Sequence, residues 1–445
     1  MPNLHKPEAI QRLPRAGWLR ATLGAVTVTV TVTVTVTVTV AGVACATVAG
    51  AAELPAATAG FNYGVISYTD IADTFTGSPY SQVYLEPSIN NAGQVAFSVL
   101  TRANIQHVYI TPLAGSTFIN VADTSNGFTG TYYVTLSNVG TAVFGGTSST
   151  GANANQTGIF TGNGGAISTV VDSTTLVRPQ GSGLIPRISD NGTVVFQGYG
   201  PGNNSVFVYK NGQYSTIAST NNSQYAGFHD AAINNSGQVV FSTSDYSTGN
   251  NNGVFVYRAN PGSSPVKISR VSTANVAIND AGMMVFEAAA AVGNGFDPTG
   301  LVVSDGLKTS FIAQAGRYMP GTNTLIDGFG SGKAINSTGL VAMQASDYAG
   351  VNSGIYVGDG VNTQTIVRAG QSMFGKTVLD FKMGNDAFND SGQLTFNVRF
   401  TDNTFAVVRT SGVSAVPEPG SATLLAAGAL ALLIGRRRAL RPSRS

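Results

Sequence analysis

Four charged side chains stand shortly before recurring glycine turns: Glu86, Arg187, Lys333 and Asp386. If they lie on the innermost strands of a repeat structure they face a common centre, where most copies carry small residues such as Ala232, Ala277 and Ala334. Carboxylates beside cations can act as acid and base, or form ion pairs that only hold a fold together; ion pairing is the expectation. His107 and His229 lie in different repeats, and neither belongs to a metal-ligand spacing such as H-E-x-x-H, so structural roles are expected for both. The chain has no G-x-S-x-G elbow, and no Walker or Rossmann glycine pattern in a strand-to-helix context. Asp190, Asp280 and Asp390 recur in turns and suggest calcium, but each turn carries one acid at most, so local turn stabilisation is expected. No catalytic residue, cofactor or metal site is assigned.

The elements that position these side chains come from a tandem repeat. Its copies read as Ile89-Asn90-Asn91-Ala92-Gly93-Gln94-Val95-Ala96-Phe97 or Ile233-Asn234-Asn235-Ser236-Gly237-Gln238-Val239-Val240-Phe241. The glycines at Gly93, Gly140, Gly192, Gly237, Gly282, Gly339 and Gly392 lie 47, 52, 45, 45, 57 and 53 residues apart, the length of a four-stranded blade. Each copy reads as a hairpin. The first Asn or Ser holds an Asx-type turn, and the glycine takes the positive φ of a type I turn with a G1 bulge. The strand after the turn is apolar at consecutive positions, as in Val95, Ala96 and Phe97, so both of its faces must be covered. An aromatic strand such as Gly253 to Tyr257 and one further strand complete a repeat without a helix.

The two ends of the array complement each other. The last copy lacks its fourth strand, and an orphan strand around Gly64 to Ile71 precedes the first copy. Shared-strand closure removes the edges that an open array exposes. The expectation is an all-β chain, a seven-bladed β-propeller over 61–412, preferred to an open β-solenoid that needs capping repeats.

Both termini read as targeting segments. Residues 1–52 combine Lys6, Arg12, Arg15 and Arg20 with an uncharged stretch and small residues for cleavage, as in a secretory signal peptide. The Thr-Val alternation from Val26 to Val40 has the period of a strand, but is read as part of the signal. Residues 413–445 contain Pro417, Glu418 and Pro419, an apolar helix expected over 421–435, and Arg436, Arg437 and Arg438. The apolar run, roughly 22 Å as a helix, is short for a ~30 Å hydrocarbon core, and the arginines would remain cytoplasmic. This tail closely resembles the PEP-CTERM sorting signal of Gram-negative bacteria that make exopolysaccharide. The resemblance implies passage through the secretion translocon, an inner-membrane intermediate, cleavage near Pro417 to Pro419 by an exosortase, and delivery to the cell surface or matrix. An ordinary C-terminal anchor fits the hydropathy equally well. By their Asn-x-x-Gly-x-x-x-Phe pattern the repeats resemble tandem-repeat exported proteins that bacteria attach through varied C-terminal anchors, a likeness that carries over no catalytic residue.

Between the two segments, 15 of the 24 basic residues face 20 of the 22 acidic ones, a net charge of about −5. That balance argues against nucleic acid as a partner. Only 10% of residues are charged, and the one Cys and one Trp fall in the signal, so the body has no disulfide and no thiol chemistry. Neutral polar groups must supply its solubility, which suits a polysaccharide-rich exterior. Two functions follow: a non-catalytic surface or matrix protein associated with exopolysaccharide or biofilm, which is preferred, or a propeller enzyme acting on polysaccharide with Glu86, Asp386, Arg187 or His229 as acid-base groups.

Overall fold

The computed structural model describes residues 66–412 except 150–156, 173–176, 180–184, 201–202, 222–224, 226, 245–252, 258–263, 270–274, 289–290, 293–294, 297–299, 321 and 348–352, together with 27–31 and 35–39. The chain divides into two units, Met1–Ala51 and Ala52–Ser445. In the first, Thr27–Thr31 pairs antiparallel with Thr35–Thr39, so the Thr-Val alternation takes the strand that its period of two allows. The remainder of the expected signal, and all of the tag from 413 onward, lie outside the described residues. Among those described, no helix is long and apolar enough to cross a membrane.

The second unit is a seven-bladed propeller of antiparallel sheets with no helix among the described residues. Blade 1 consists of Tyr80–Ile89, Val95–Thr101, Gln106–Ile110 and Ile119–Asp123, paired in that order. Blades 2 to 6 repeat this order, with inner strands Phe128–Leu136, Arg187–Ile188, Gly227–Ile233, Val276–Ile278 and Gly328–Ile335. Blade 7 draws Lys376–Lys382, Thr395–Phe400 and Phe405–Thr410 from the C-terminal side and its outer strand, Tyr68–Asp73, from the N-terminal side. That outer strand pairs antiparallel with Phe405–Thr410, a few residues beyond where the sequence pattern places it. Thr74 N donates to Phe405 O at 2.9 Å and Tyr68 Oη to Ile366 O at 2.5 Å, which fastens the closure to both blades 7 and 6. The ring leaves blade 7 without an unpaired third strand.

The core is divided among the seams between blades. Seven apolar clusters each draw side chains from two consecutive blades. Val95 and Phe97 pack toward blade 7 while Ala96 packs toward blade 2, which is why the second strand of each repeat is apolar at successive positions rather than alternating. The aromatic side chain four residues after the turn glycine is buried in six copies, Phe97, Phe144, Phe196, Phe241, Phe286 and Phe396, and Met343 replaces it in the remaining one. Each such burial stabilises the ring by about 1.5–3 kcal/mol.

The turn glycines adopt φ of +73° to +83°, the left-handed conformation a G1 bulge requires. In blade 1, Gly93 N donates to Asn90 O at 2.9 Å, Asn90 N donates to Gln94 O at 3.0 Å, and Gln94 N donates to Asn90 Oδ1 at 2.9 Å. The same side-chain cap recurs at Asn234, Asn279, Asn336 and Asn389, and through the Ser137 hydroxyl.

Candidate functional site

Polar side chains reach the propeller axis because the inner strands do not pair regularly. In blades 1, 2, 4 and 6 the inner strand contains a register shift, at Tyr84/Ser88, Tyr132/Val134, Phe228/Asp230 and Phe329/Lys333. In blade 7 pairing stops at Lys382 and resumes only with the Phe388 to Leu394 bridge. Bulges bend a strand and re-aim its side chains, and here Glu86, Asn385 and Asp386 lie within the displaced segments. Two glycines allow the close approach. A Cβ on Gly332 would stand 2.1 Å from the Met383 carbonyl oxygen, and one on Gly384 would stand 3.1 Å from the Glu86 Cβ.

Three of the four sequence candidates line one small cavity: Glu86, Arg187 and Asp386 surround a space of about 10 Å³ together with Tyr133, about the room one water molecule needs. Arg187 is 3% exposed; its Nε lies 3.1 Å from Asp386 Oδ2 and its Nη2 3.9 Å from Asp230 Oδ2. The guanidinium therefore ties blades 3, 4 and 7 across the axis. Burial raises the carboxyls of both Asp230 and Asp386 above the usual range, with Arg187 pulling the other way. Burial, and then the charge of Glu86, holds the Tyr133 hydroxyl above its ordinary value. Glu86 Oε2 is buried without a hydrogen bond, as are Arg187 Nε, which meets Asp386 off the hydrogen-bonding direction, and Nη2, which lies too far from Asp230 for one.

Lys333 goes elsewhere. It is 1% exposed, and its Nζ donates to Glu287 Oε1 of blade 5 at 2.7 Å. Its backbone joins the central network instead, through Lys333 N to Asn385 Oδ1 at 3.2 Å. Asn385 Nδ2 donates to Asp230 Oδ2 at 3.0 Å and to Val276 O at 3.3 Å, so this one side chain from blade 7 links blades 4, 5 and 6. Sequence reasoning missed Asp230, Asn385 and Glu287 as partners. The signal for two of them was register: Asp230 and Asn385 each stand seven residues before their turn glycine, as Glu86 does. Arg187, Lys333 and Asp386 stand five, six and six residues before theirs, which hid the common register.

At the turn end the channel widens to about 130 Å³ and is rimmed by a belt of side chains joined from blade to blade. The second residue of each turn accepts the backbone N–H of its counterpart in the preceding blade. Asn91 N donates to Asn138 Oδ1 at 2.8 Å, Asn138 N to Asp190 Oδ1 at 2.7 Å, Asp190 N to Asn235 Oδ1 at 2.7 Å and Asn235 N to Asp280 Oδ1 at 2.9 Å. Ser337 N donates to Asp390 Oδ1 at 2.7 Å, and Asp390 N to Asn91 Oδ1 at 2.9 Å, which closes the circle. Only the step from Asp280 to Ser337 carries no such bond, as expected of the shorter serine side chain. The asparagine amides also donate back to the acids, from Asn235 Nδ2 to Asp190 Oδ2 at 2.6 Å and Asp280 Oδ2 at 2.9 Å and from Asn91 Nδ2 to Asp390 Oδ2 at 2.7 Å. Asp190, Asp280 and Asp390 thus stabilise the neighbouring blade's turn rather than only their own, because the ring brings together positions 45 or more residues apart. Among the described residues no group of three His, Cys, Asp or Glu side chains is placed to hold a metal ion.

The two histidines are separate from this axis. His107 stacks on Tyr109 at 4.8 Å and its Nδ1 lies 3.2 Å from Asn120 Oδ1. His229 is the extra residue of the Phe228/Asp230 bulge, which leaves it exposed while its neighbour Asp230 is buried. The sorting residues Pro417, Glu418, Pro419, Arg436, Arg437 and Arg438 lie outside the described residues.

Comparison with known proteins gives one family and several similar solved structures. No curated protein matches the chain. Similar solved structures include the β-propeller domain of the trilobed protease from Pyrococcus furiosus, which has an open velcro topology (8% identity, TM-score 0.49, 76% of this chain and 97% of that one). An uncharacterized protein from Listeria monocytogenes is also similar (10% identity, TM-score 0.40, 73% and 95%). So is the acylaminoacyl peptidase of Pyrococcus horikoshii (12% identity, TM-score 0.40, 72% of this chain and 50% of that one). The sequence matches one family across residues 62–268 and 254–385, and the chain accordingly belongs to the family of unknown function DUF7453.

Proposed function

We propose that this chain is a non-catalytic exported protein, sorted by an exosortase and displayed on or released from the surface of a Gram-negative cell, where it associates with exopolysaccharide or other matrix components. The observation that carries the proposal is the order Pro417-Glu418-Pro419, uncharged run, Arg436-Arg437-Arg438, behind a positively charged N-terminal segment. The position of the ring supports it. The propeller strands run from Tyr68 to Thr410, so removal of 1–52 and cleavage near Pro417 would leave every blade intact. The low charge of the body and its net of about −5 suit a hydrated, sugar-rich exterior.

The competing enzymatic reading needs an acid and a base that flank a substrate. The space that Glu86 shares with Asp386 is about 10 Å³, and Asp386 is already engaged by Arg187. The test is the intact mass and location of the protein in hosts with and without an exosortase. A product that ends near Pro417 and appears outside the cell only when the protease is present is the expected result. An unprocessed chain retained in the inner membrane of both hosts would overturn it.

A further inference from the structure

Blade 7 departs from the other six at its outward end. Counted from the turn glycine, Arg399 occupies a position where the other copies have Leu100, Thr147, Tyr199, Ser244, Ala289 and Ser346, all neutral. Arg399 pairs across the sheet with Asp380 on one side and Phe405 on the other, and the next pair on the same face is Lys382 with Asn397. These side chains face Val83 of blade 1 across the seam where the ring closes, and enclose a cleft of about 360 Å³. That is within the size range of small-molecule sites.

The charges in the cleft do not balance. Arg399 Nη2 holds Asp380 Oδ2 at 2.6 Å, whereas Lys382 is exposed and has no carboxylate within 4.0 Å among the described residues. Arg399 Nε makes no hydrogen bond within the protein. The cleft therefore presents one uncompensated cation, Lys382, on a body whose net charge is about −5. Beside it Val83 and Phe405 offer an apolar wall.

We propose that the cleft between blades 7 and 1 binds a uronic-acid residue of an acidic polysaccharide. Lys382 takes the sugar carboxylate together with the outer guanidinium nitrogens of Arg399, and Phe405 and Val83 pack against the C–H face of the ring. This rests on the reading of the chain as a matrix-associated protein and names its ligand class.

The test is calorimetric titration of the full purified chain with trigalacturonate, with its methyl ester, and with free galacturonate. Saturable binding of the trisaccharide is expected, with little for the ester, and Lys382→Gln should weaken it roughly tenfold or more, as loss of a charge-assisted contact predicts. Lys382 is exposed, so the variant should fold, and an unchanged thermal midpoint checks this. Equal binding of ester and acid, an unaffected Lys382→Gln, or no saturable binding would each overturn the assignment. Free galacturonate binding as tightly as the trisaccharide would overturn the polysaccharide source. Trisaccharide binding by a chain that is not exported would leave the cleft standing and overturn the sorting proposal; an exported chain that does not bind would do the reverse.

Discussion

Replacing Asn235 by Asp exchanges one heavy atom in the belt at the channel mouth and should have a large effect. In the native ring the Asn235 amide donates to Asp190 Oδ2 at 2.6 Å and to Asp280 Oδ2 at 2.9 Å, while its oxygen accepts Asp190 N–H at 2.7 Å. Asn235→Asp keeps the acceptor, removes both donors and places a third carboxylate between two others. A hydrogen bond to a charged group contributes about 1.5–3 kcal/mol, and a solvent-facing rim argues for the lower end, so the two lost bonds cost about 3 kcal/mol. Repulsion from two carboxylates at about 4 Å adds about 1 kcal/mol each even at the dielectric constant of water. Rotation of the new side chain into the mouth relieves part of this, which leaves an expected loss of about 3–5 kcal/mol at pH 7. Asn235→Ala loses the donors and the acceptor but gains no charge. Like charges raise the folded-state pKa of the introduced carboxyl, so its penalty is present above that pKa and fades as pH falls through it. Denaturant midpoints of the full chain at pH 7 and pH 4 separate the two variants: the Asp deficit should shrink with acid and the Ala deficit should not. A stable Asp variant at pH 7, or deficits that change alike with pH, would refute the idea that the belt holds neighbouring blades together.

Two further outcomes follow from the axis and the closing strand. Arg187→Ala leaves the buried Asp230, and the part-exposed Asp386 beside it, without their cation and should cost about 3 kcal/mol by denaturant titration; Arg187→Met combined with Asp386→Asn should recover part of that loss, since it removes charge from both sides. Asp70, on the strand that closes the ring, is pushed up to about 7, first by burial and then by the adjacent Asp73. Because the folded-state value lies above the unfolded one, stability should fall as pH rises from about 4 to about 7, and Asp70→Asn should flatten the denaturant midpoint across that window.

Much of the fold was legible in sequence because it depends on short-range chemistry. The seven turn glycines marked the blade period, since only a residue free to take positive φ closes this hairpin. Consecutive apolar residues such as Val95, Ala96 and Phe97 announced a strand covered on both faces, and the unpaired first and last strands announced each other. The site was less legible. Glu86, Arg187 and Asp386 were identifiable as axial candidates, but Lys333 pairs with Glu287, and the partnership of Arg187 with Asp230 depends on bulges that no period reveals.

The sequence by itself determined the unit: four short strands, an Asx-capped turn, and a repeat length that must stack to bury its apolar faces. These are properties of neighbouring residues, for which distance along the chain and distance in space agree. Only the tertiary structure decided which polar groups meet. Asn91 and Asp390 are 299 residues apart and Asn385 and Asp230 are 155 apart, yet each pair is within hydrogen-bond distance because the curvature of the closed ring and the bulges of its inner strands converge on one axis.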